Sequence, residues 1–250
     1  MTLKEKGWKI PQLIFCLALG ACLIITFTWQ PTKALWEMLD TAFFKWINGS
    51  LIDNPTWQLF WGCANHRYAD WVEDACILGF LVLFVTSLKK EERLQGTLQM
   101  LFLVLYSAII LYVVNRIIFR QNFIIYRDSP TLVVEGSFRL TEAISWMRLK
   151  IDSPKCFPAD HATTAILFAA GYAFYAGKRF GIPAILYAMF LCIPRMIVGA
   201  HWLSDVIVGS GLIVLFSLSL AFCTPFHLLC IATLKSFFTF FRKFKKIKST

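Results

Sequence analysis

The chain has 250 residues, of which 58% are hydrophobic, and its mean hydropathy is +0.62. Both values exceed those of soluble globular domains and favour a polytopic membrane protein. The formal net charge is +10, but no soluble segment combines basic with aromatic residues, so we expect no nucleic acid to bind.

Six apolar stretches predict membrane-spanning helices, because each has about the length that crosses a bilayer. They occupy residues 10–29, 71–88, 97–119, 162–177, 182–199 and 205–223. Basic residues lie before the first stretch, between the second and third, between the fourth and fifth, and at the C-terminus. With six spans these clusters share one side, which the positive-inside rule identifies as the cytoplasm. We therefore expect both termini in the cytoplasm.

Two longer segments then lie on the outer side. Segment 30–70 is rich in tryptophan and phenylalanine, which suits helices lying at the membrane interface. Segment 120–160 carries most of the outer charge. At the other end of the chain, residues 225–248 alternate phenylalanines with cations, which suits a helix in the cytoplasmic leaflet that anchors the topology. A regulatory lipid sensor is the less favoured interpretation of that segment.

The eight cysteines show no spacing typical of a metal site. Most lie in or beside apolar stretches and are expected to act as small hydrophobic residues. Cys63 and Cys156 both fall on the outer side, where a disulfide is chemically feasible in an oxidising compartment.

The strongest functional signal is the group formed by Arg195, His201 and Asp205. On a helix, His201 and Asp205 would share one face and could meet. The carboxylate can hold one imidazole nitrogen protonated and leave the other as a nucleophile, while Arg195 offers a charged fork for phosphate oxygens. Because unneeded charges are costly in an apolar stretch, the group predicts phosphoryl transfer at a membrane.

Two further groups lie at the same predicted face. Arg120 and Arg127 are separated by six residues, and His161 ends the run 157–161 where the fourth stretch begins. Taken singly, the arginines could meet lipid headgroups and His161 could cap a loop. Their convergence with the Arg195 group at the extracytoplasmic face favours a single site.

The three groups resemble the motifs of the type 2 phosphatidic-acid phosphatase (PAP2) superfamily. Its signature is Lys-x6-Arg-Pro, then Pro-Ser-Gly-His, then Ser-Arg-x5-His-x3-Asp. The third motif matches in spacing throughout. The chain departs from the signature with Arg120 for lysine, Asp128 for proline, Ala159-Asp160 for serine and glycine, and Pro194 for serine.

These departures resemble one branch, the lipid A 1-diphosphate synthases of Gram-negative inner membranes. That branch carries Phe-Pro-Gly-Asp-His, Pro-Arg-x3-Gly-Ala-His-Trp and Ser-Pro-Thr-Leu, which are similar to residues 157–161, 194–202 and 129–132. The resemblance implies an all-α bundle of six transmembrane helices of the PAP2 type, with interfacial helices on the extracytoplasmic side. It implies one domain over 1–224 and a basic amphipathic cytoplasmic segment over 225–250.

The resemblance also implies the substrates and the mechanism. A bacterial inner-membrane enzyme with a periplasmic active site would act on undecaprenyl pyrophosphate and lipid A. His201 would attack the terminal phosphorus of the lipid diphosphate and form a phosphohistidine, with Asp205 orienting the imidazole. His161 would act as general acid and then as base.

The remaining predicted site residues hold phosphate or support the site. Arg120, Arg127 and Arg195 would bind the phosphoryl oxygens and supply the positive charge that Mg²⁺ provides elsewhere. Asp160 would either adjust the proton affinity of His161 or pair with an arginine, and Ser129 is a candidate supporting residue. No metal ligands and no cofactor are expected, so activity should survive EDTA.

The motifs do not encode whether water or a second lipid receives the phosphoryl group. The leading interpretation is transfer to lipid A 1-phosphate, because Arg139, Arg148, Lys150 and Lys155 could hold an anionic acceptor. The alternative is an undecaprenyl pyrophosphate phosphatase or lipid A 1-phosphatase with the same residues. A transporter or scaffold with an arginine-lined anion path is a third interpretation, but it would not need the two histidines.

Overall fold

The computed structural model describes residues 7–122, 125–149 and 151–247. Within these ranges the chain is helical and contains no strand, only one bridged pair, Arg127 with Lys155. The helices are α1 (Ile10–Thr28), α2 (Gln30–Gly49), α3 (Pro55–Asn65), α4 (Arg67–Ser87), α5 (Arg93–Ile110, continued by wider π-helical turns over Leu111–Asn122), α6 (Pro130–Val133), α7 (Leu140–Ala143), α8 (Asp160–Ile197), α9 (Asp205–Phe222) and α10 (Phe226–Ile247).

Within the described ranges, four helices are long and apolar enough to cross a membrane: α1, α5 with its continuation to Phe119, α8 and α9. Helix α4 has 21 residues but carries Asp70, Glu73 and Asp74 in its first half. All six expected apolar stretches fall on helices. The prediction of an all-α membrane protein is thus confirmed for the described residues.

Helix α8 is a hairpin of two antiparallel helices. Gly177 has φ of +70° and ψ of −176°, a backbone conformation in which only glycine is unstrained. A Cβ on Gly181 would lie 2.6 Å from the Cβ of Ala173, whereas a straight helix would separate these positions by about 12 Å along its axis. The chain therefore reverses at Gly177. This reversal explains why the sequence predicts two apolar stretches, 162–177 and 182–199, within one 38-residue helical element.

Buried apolar clusters hold the bundle together. One joins α4, α5 and both halves of α8 around Tyr172, whose hydroxyl donates to the Phe80 carbonyl at 2.9 Å. A second joins α5, α8, α9 and α10 around Leu167 and Ile213. Since each cluster spans sequence-distant helices, their packing fixes which helix ends come together.

The ends that meet at one end of the bundle are the end of α1, the start of α4, both ends of the α8 hairpin and the start of α9. Phe27 near the end of α1 stacks on Phe157 with ring centroids 5.3 Å apart. Asp70 in the first turn of α4 lies 3.4 Å from His161 at the start of α8. We call this the site end.

Helix α2 lies across the site end. Its Asp40, Phe44 and Asn48, spaced by four, are buried, and Asn48 Nδ2 donates to the Ile197 carbonyl at the end of α8 at 2.9 Å. The other side of α2 exposes large apolar side chains: Leu35, Met38, Leu39 and Trp46. The helix is thus fixed to the bundle by its polar and aromatic face, with an apolar face turned outward.

All eight cysteines are free, so the disulfide that Cys63 and Cys156 could have formed is not present. Cys63 is exposed, whereas Cys156 is buried against Phe44 and Trp202. Burial, together with the nearby carboxylate of Asp205, raises the pKa of the Cys156 thiol well above its ordinary value. Cys156 is therefore a protonated packing residue at the site end.

Candidate active site

His201 and Asp205 meet at the start of α9, as their spacing predicts. His201 Nδ1 lies 3.4 Å from Asp205 Oδ2, and the same oxygen accepts from the Trp202 backbone N–H at 2.8 Å. The expectation that the two residues share one face of a helix is wrong, because His201 lies in the turn before the helix and only Asp205 is helical. Asp205 lies in the first turn of α9, and its bond from the Trp202 backbone N–H fixes the turn that carries His201.

The turn that carries His201 depends on Gly199, which has φ of +82°. A Cβ at this position would lie 2.5 Å from Thr131 Cγ2, too close for any other residue to fit without a shift. The Gly199 carbonyl accepts from Thr131 Oγ1 at 3.1 Å. The backbone N–H groups of Ala200 and His201 donate to the Arg195 carbonyl at 2.9 and 3.2 Å. These bonds hold His201 close to the end of α8.

Arg127 lies behind Asp205 and joins two buried carboxylates. Its Nη1 donates to Asp205 Oδ1 at 2.6 Å and to Ser204 Oγ at 2.8 Å, and its Nη2 donates to Asp40 Oδ2 at 2.5 Å. The guanidinium also lies over the Trp202 ring, 5.2 Å from its centroid. Burial alone would lower the pKa of Arg127, but the carboxylates of Asp205 and Asp40 outweigh it and raise the pKa. Arg127 is therefore a fixed cation that compensates both carboxylates.

Asp40 is a site residue that the sequence did not single out. Its side chain is 1% exposed, and besides Arg127 it accepts from the Ser204 backbone N–H at 2.8 Å and from the Ser204 hydroxyl at 2.5 Å. Asp40 thereby ties α2 to the start of α9. The available signal was the four-residue spacing of Asp40, Phe44 and Asn48 in an aromatic segment, which predicts a buried polar face.

Arg195 and His161 form the second half of the site. Arg195 Nη2 lies 3.1 Å from His161 Nε2 and 3.4 Å from Asp70 Oδ1, while Nη1 donates to the Asn65 carbonyl at 3.3 Å. Because a guanidinium only donates, Nε2 of His161 accepts in this contact and its proton is on Nδ1. Arg195 connects the two halves, because its carbonyl accepts from the Ala200 and His201 backbone N–H groups while its side chain contacts His161.

Asp70 is the second residue that sequence reasoning missed. Its Oδ1 lies 3.4 Å from His161 Nε2, so it can accept from that nitrogen when the imidazole is protonated. The signal was the position of three acids, Asp70, Glu73 and Asp74, at the start of an otherwise apolar stretch, where such charges are costly without a role.

A cavity of about 210 Å³ opens beside His161 and is lined by four carboxylates. They belong to Asp70, Glu73, Asp74 and the predicted site residue Asp160. Such a lining repels phosphate, so the phosphoryl group is expected to reach His201 from another side. Among the described residues, no group of three or more His, Cys, Asp and Glu side chains has the arrangement of a metal site.

Two predicted site residues, Ser129 and Arg120, make no described contact with either histidine. Ser129 is fully buried, and its Oγ accepts from the Ser153 backbone N–H at 2.9 Å. It therefore joins the two ends of the loop between α5 and α8. Arg120 falls in the π-helical continuation of α5, and its side chain lies outside the described part of the chain.

The cations expected to hold an acceptor lie in or beside the same loop. Arg139 Nη2 donates to Asp152 Oδ2 at 2.5 Å, so this guanidinium is already paired. Arg148 and Lys155 are exposed, and Lys155 lies over the Tyr126 ring. Lys150 lies outside the described residues.

The site therefore combines a carboxylate-supported histidine, a second histidine in contact with an arginine, and a membrane-buried scaffold. The chain belongs to the PAP2 superfamily, whose profile matches residues 101–229. It is a PAP2-type lipid phosphotransferase or phosphatase. The chain is similar to lipid A 1-diphosphate synthase of Escherichia coli (strain K12), with 27% identity over 218 residues, which cover 87% of this chain and 89% of the relative. No solved structure matches.

Proposed function

We propose that this protein moves a phosphate from undecaprenyl pyrophosphate to lipid A 1-phosphate, giving lipid A 1-diphosphate and undecaprenyl phosphate. The observation that carries the proposal is the pairing of His201 with the buried carboxylate of Asp205, 3.4 Å apart, beside the Arg195–His161 contact. The name of the Escherichia coli relative supports lipid A as the acceptor.

The first step forms a phosphohistidine on His201. Nδ1 faces Asp205, so Nε2 is the nitrogen that attacks the terminal phosphorus of the diphosphate. A P–N bond forms as the P–O bond to undecaprenyl phosphate breaks, and His161 donates a proton to the leaving oxygen. Asp205 stabilises the positive charge that develops on the His201 ring.

The second step regenerates His201. An oxygen of the acceptor phosphate attacks the phosphohistidine, a new P–O bond forms and the P–N bond breaks. The acceptor reacts as the monoprotonated phosphate, and His161, now unprotonated, accepts its proton. The same residue therefore acts in both half-reactions and ends in its starting state.

Three arginines are proposed to neutralise the phosphoryl charge. Arg195 is placed to exchange its contact with His161 for phosphate oxygens. Arg127 retains its Nε–H and one Nη2–H beyond the three bonds it donates to protein groups, and Arg120 precedes it on the same connection. Asp160 and Ser129 are proposed as supporting residues, Asp160 in the acidic cavity beside His161 and Ser129 in the loop that carries Arg127.

The proposed membrane topology has six spans: α1, α4, α5, the two halves of α8, and α9. Helices α2 and α3 lie at the outer interface, which accounts for the exposed apolar side of α2. Residues 1–224 then form the catalytic domain, and 225–250 form a basic cytoplasmic segment. Lys89, Lys90, Lys178 and Arg179 lie at turns opposite the site end, and by the positive-inside rule this distribution supports a periplasmic active site in the bacterial inner membrane.

Hydrolysis is the second candidate. The pairing of Arg139 with Asp152 removes one of the four cations expected to hold an anionic acceptor, which favours an undecaprenyl pyrophosphate phosphatase or a lipid A 1-phosphatase. The exposed Arg148 and Lys155 remain for an acceptor and favour transfer.

The deciding experiment uses the purified full-length protein and undecaprenyl pyrophosphate labelled in its terminal phosphate, with and without lipid A. Label on lipid A supports the transferase, whereas label released only as inorganic phosphate supports the phosphatase. His201→Ala should abolish turnover, and His66→Ala, whose ring contacts Tyr68, is the matched control. Turnover is expected to persist in EDTA, and strict dependence on Mg²⁺ would contradict the mechanism.

A further inference from the structure

An apolar groove of about 780 Å³ lies between the two halves of α8 and α9. Small side chains, Ala169, Ala170 and Ala188, form part of its lining. Larger side chains, Met189 and Ile207, also line it and are 62% and 41% exposed. The groove is therefore a concave apolar surface that opens toward the outside of the bundle.

One end of the groove lies beside the candidate active site. Met196 and Val206 line it, and they directly follow Arg195 and Asp205 in the chain. Both side chains are buried in one apolar cluster with Ala162, the residue after His161. The chain neighbours of Arg195, Asp205 and His161 therefore pack together beside one end of this groove.

We propose that this groove binds the single hydrocarbon chain of the phosphoryl donor. The inference rests on the proposed function, because a lipid whose phosphate reaches His201 must lead its chain away from the site. Within a membrane the chain leaves other lipid rather than water, so van der Waals contact with the walls of the groove is what favours its binding. One groove suits a donor with one chain, such as a polyprenyl diphosphate, better than a lipid with several acyl chains.

A second apolar groove provides a matched control. It measures about 360 Å³ and lies between α4 and α5, lined by Val82, Val104 and, toward the end opposite the site, Thr86 and Thr97. Val104 is 45% exposed, so a larger side chain there fills a lipid-facing groove without touching the residues of the site.

The test compares donors that differ in chain length. Full-length wild type, Ala170→Leu, Ala170→Trp and Val104→Trp are assayed with undecaprenyl diphosphate in mixed micelles and with dimethylallyl diphosphate, which has one isoprene unit. Filling the groove at Ala170 should lower kcat/KM for the long donor by about tenfold or more, because the new side chain displaces the hydrocarbon chain from its van der Waals contacts with the groove walls. The short donor should be turned over at the wild-type rate, and Val104→Trp should change neither value.

Two results would overturn the inference: no selective loss with the long donor, or equal loss with both donors in Ala170→Leu as well as in Ala170→Trp. Equal loss would mean that the substitutions distort the site itself. Failure of the proposed function is distinguishable, because wild type would then turn over neither donor. Cross-linking of a photoreactive prenyl diphosphate to peptides containing Met189 or Ile207 is an independent measurement that should succeed in wild type and decrease in Ala170→Trp.

Discussion

Replacing Arg127 by alanine is expected to destabilise the protein as well as inactivate it. The guanidinium donates to two carboxylates whose side chains are 1% and 0% exposed, those of Asp40 and Asp205. Without Arg127 both carboxylates would stay buried with only neutral hydrogen-bond donors around them. A residue that only bound substrate phosphate would leave the stability of the free protein unchanged.

The size of the effect follows from this burial. Removing one partner of a buried ion pair costs about 3–5 kcal/mol. In a protein of this size each kcal/mol lowers the Tm by roughly 2–4 °C, so Arg127→Ala should lower it by about 6–20 °C. Arg127→Met combined with Asp40→Asn should restore part of the loss, because only Asp205 then lacks its countercharge.

Thermal unfolding of the detergent-solubilised protein measures this directly. Arg148→Ala, which removes an exposed arginine at the same end of the bundle, is the control and should leave the Tm unchanged. A wild-type Tm for Arg127→Ala, with activity lost, would refute the role of Arg127 as a structural cation and favour a role in phosphate binding alone.

Three further predictions concern the turn, the acid partner and the buried thiol. Gly199→Ala should lower the free energy of unfolding by about 2 kcal/mol or more, because the positive φ of Gly199 and its contact with Thr131 both oppose a side chain. The midpoint of chemical unfolding and the rate of turnover should both fall, and an unchanged midpoint would contradict this prediction. Asp70→Asn should lower kcat by about tenfold to a hundredfold without raising KM, because the substitution removes the carboxylate that accepts from protonated His161 but removes no phosphate ligand. Steady-state kinetics measure both constants, and a raised KM at constant kcat would contradict this prediction. Cys156 should resist alkylation by iodoacetamide in the folded protein, since burial raises the pKa of its thiol, whereas the exposed Cys63 should react. Mass spectrometry distinguishes the two labelled peptides, and equal labelling would contradict the burial of Cys156.

Sequence patterns predicted the helices well because the length of an apolar stretch can be read from neighbouring residues alone. The stretches 10–29 and 205–223 each exceed their helix, α1 or α9, by one residue. The reversal at Gly177 was predicted as a gap between two stretches, although glycine alone does not indicate a hairpin. The packing of Ala173 against Gly181, which establishes it, depends on tertiary contact that no local pattern encodes.

The site was predictable only where its residues lie close in sequence. His201 and Asp205 are four residues apart, and Arg195 is bonded through its carbonyl to the same turn. Asp40 and Asp70 reach the site from α2 and α4, far from any motif, so the sequence offered only their unusual position among apolar neighbours. The roles of His161, His201 and Asp205 in catalysis stay predictions that the experiments above test.

The bond between Asp40 and Ser204 spans 164 positions of the chain, which has a consequence for biosynthesis. Synthesis proceeds from the N-terminus, so Asp40 and Arg127 are made long before Asp205. A chain that has not yet reached α9 holds Asp40 and Arg127 but neither His201 nor Asp205. Closing so long a loop is slow and occurs late. The candidate active site is therefore assembled only after the start of α9 has been made and has packed against α2.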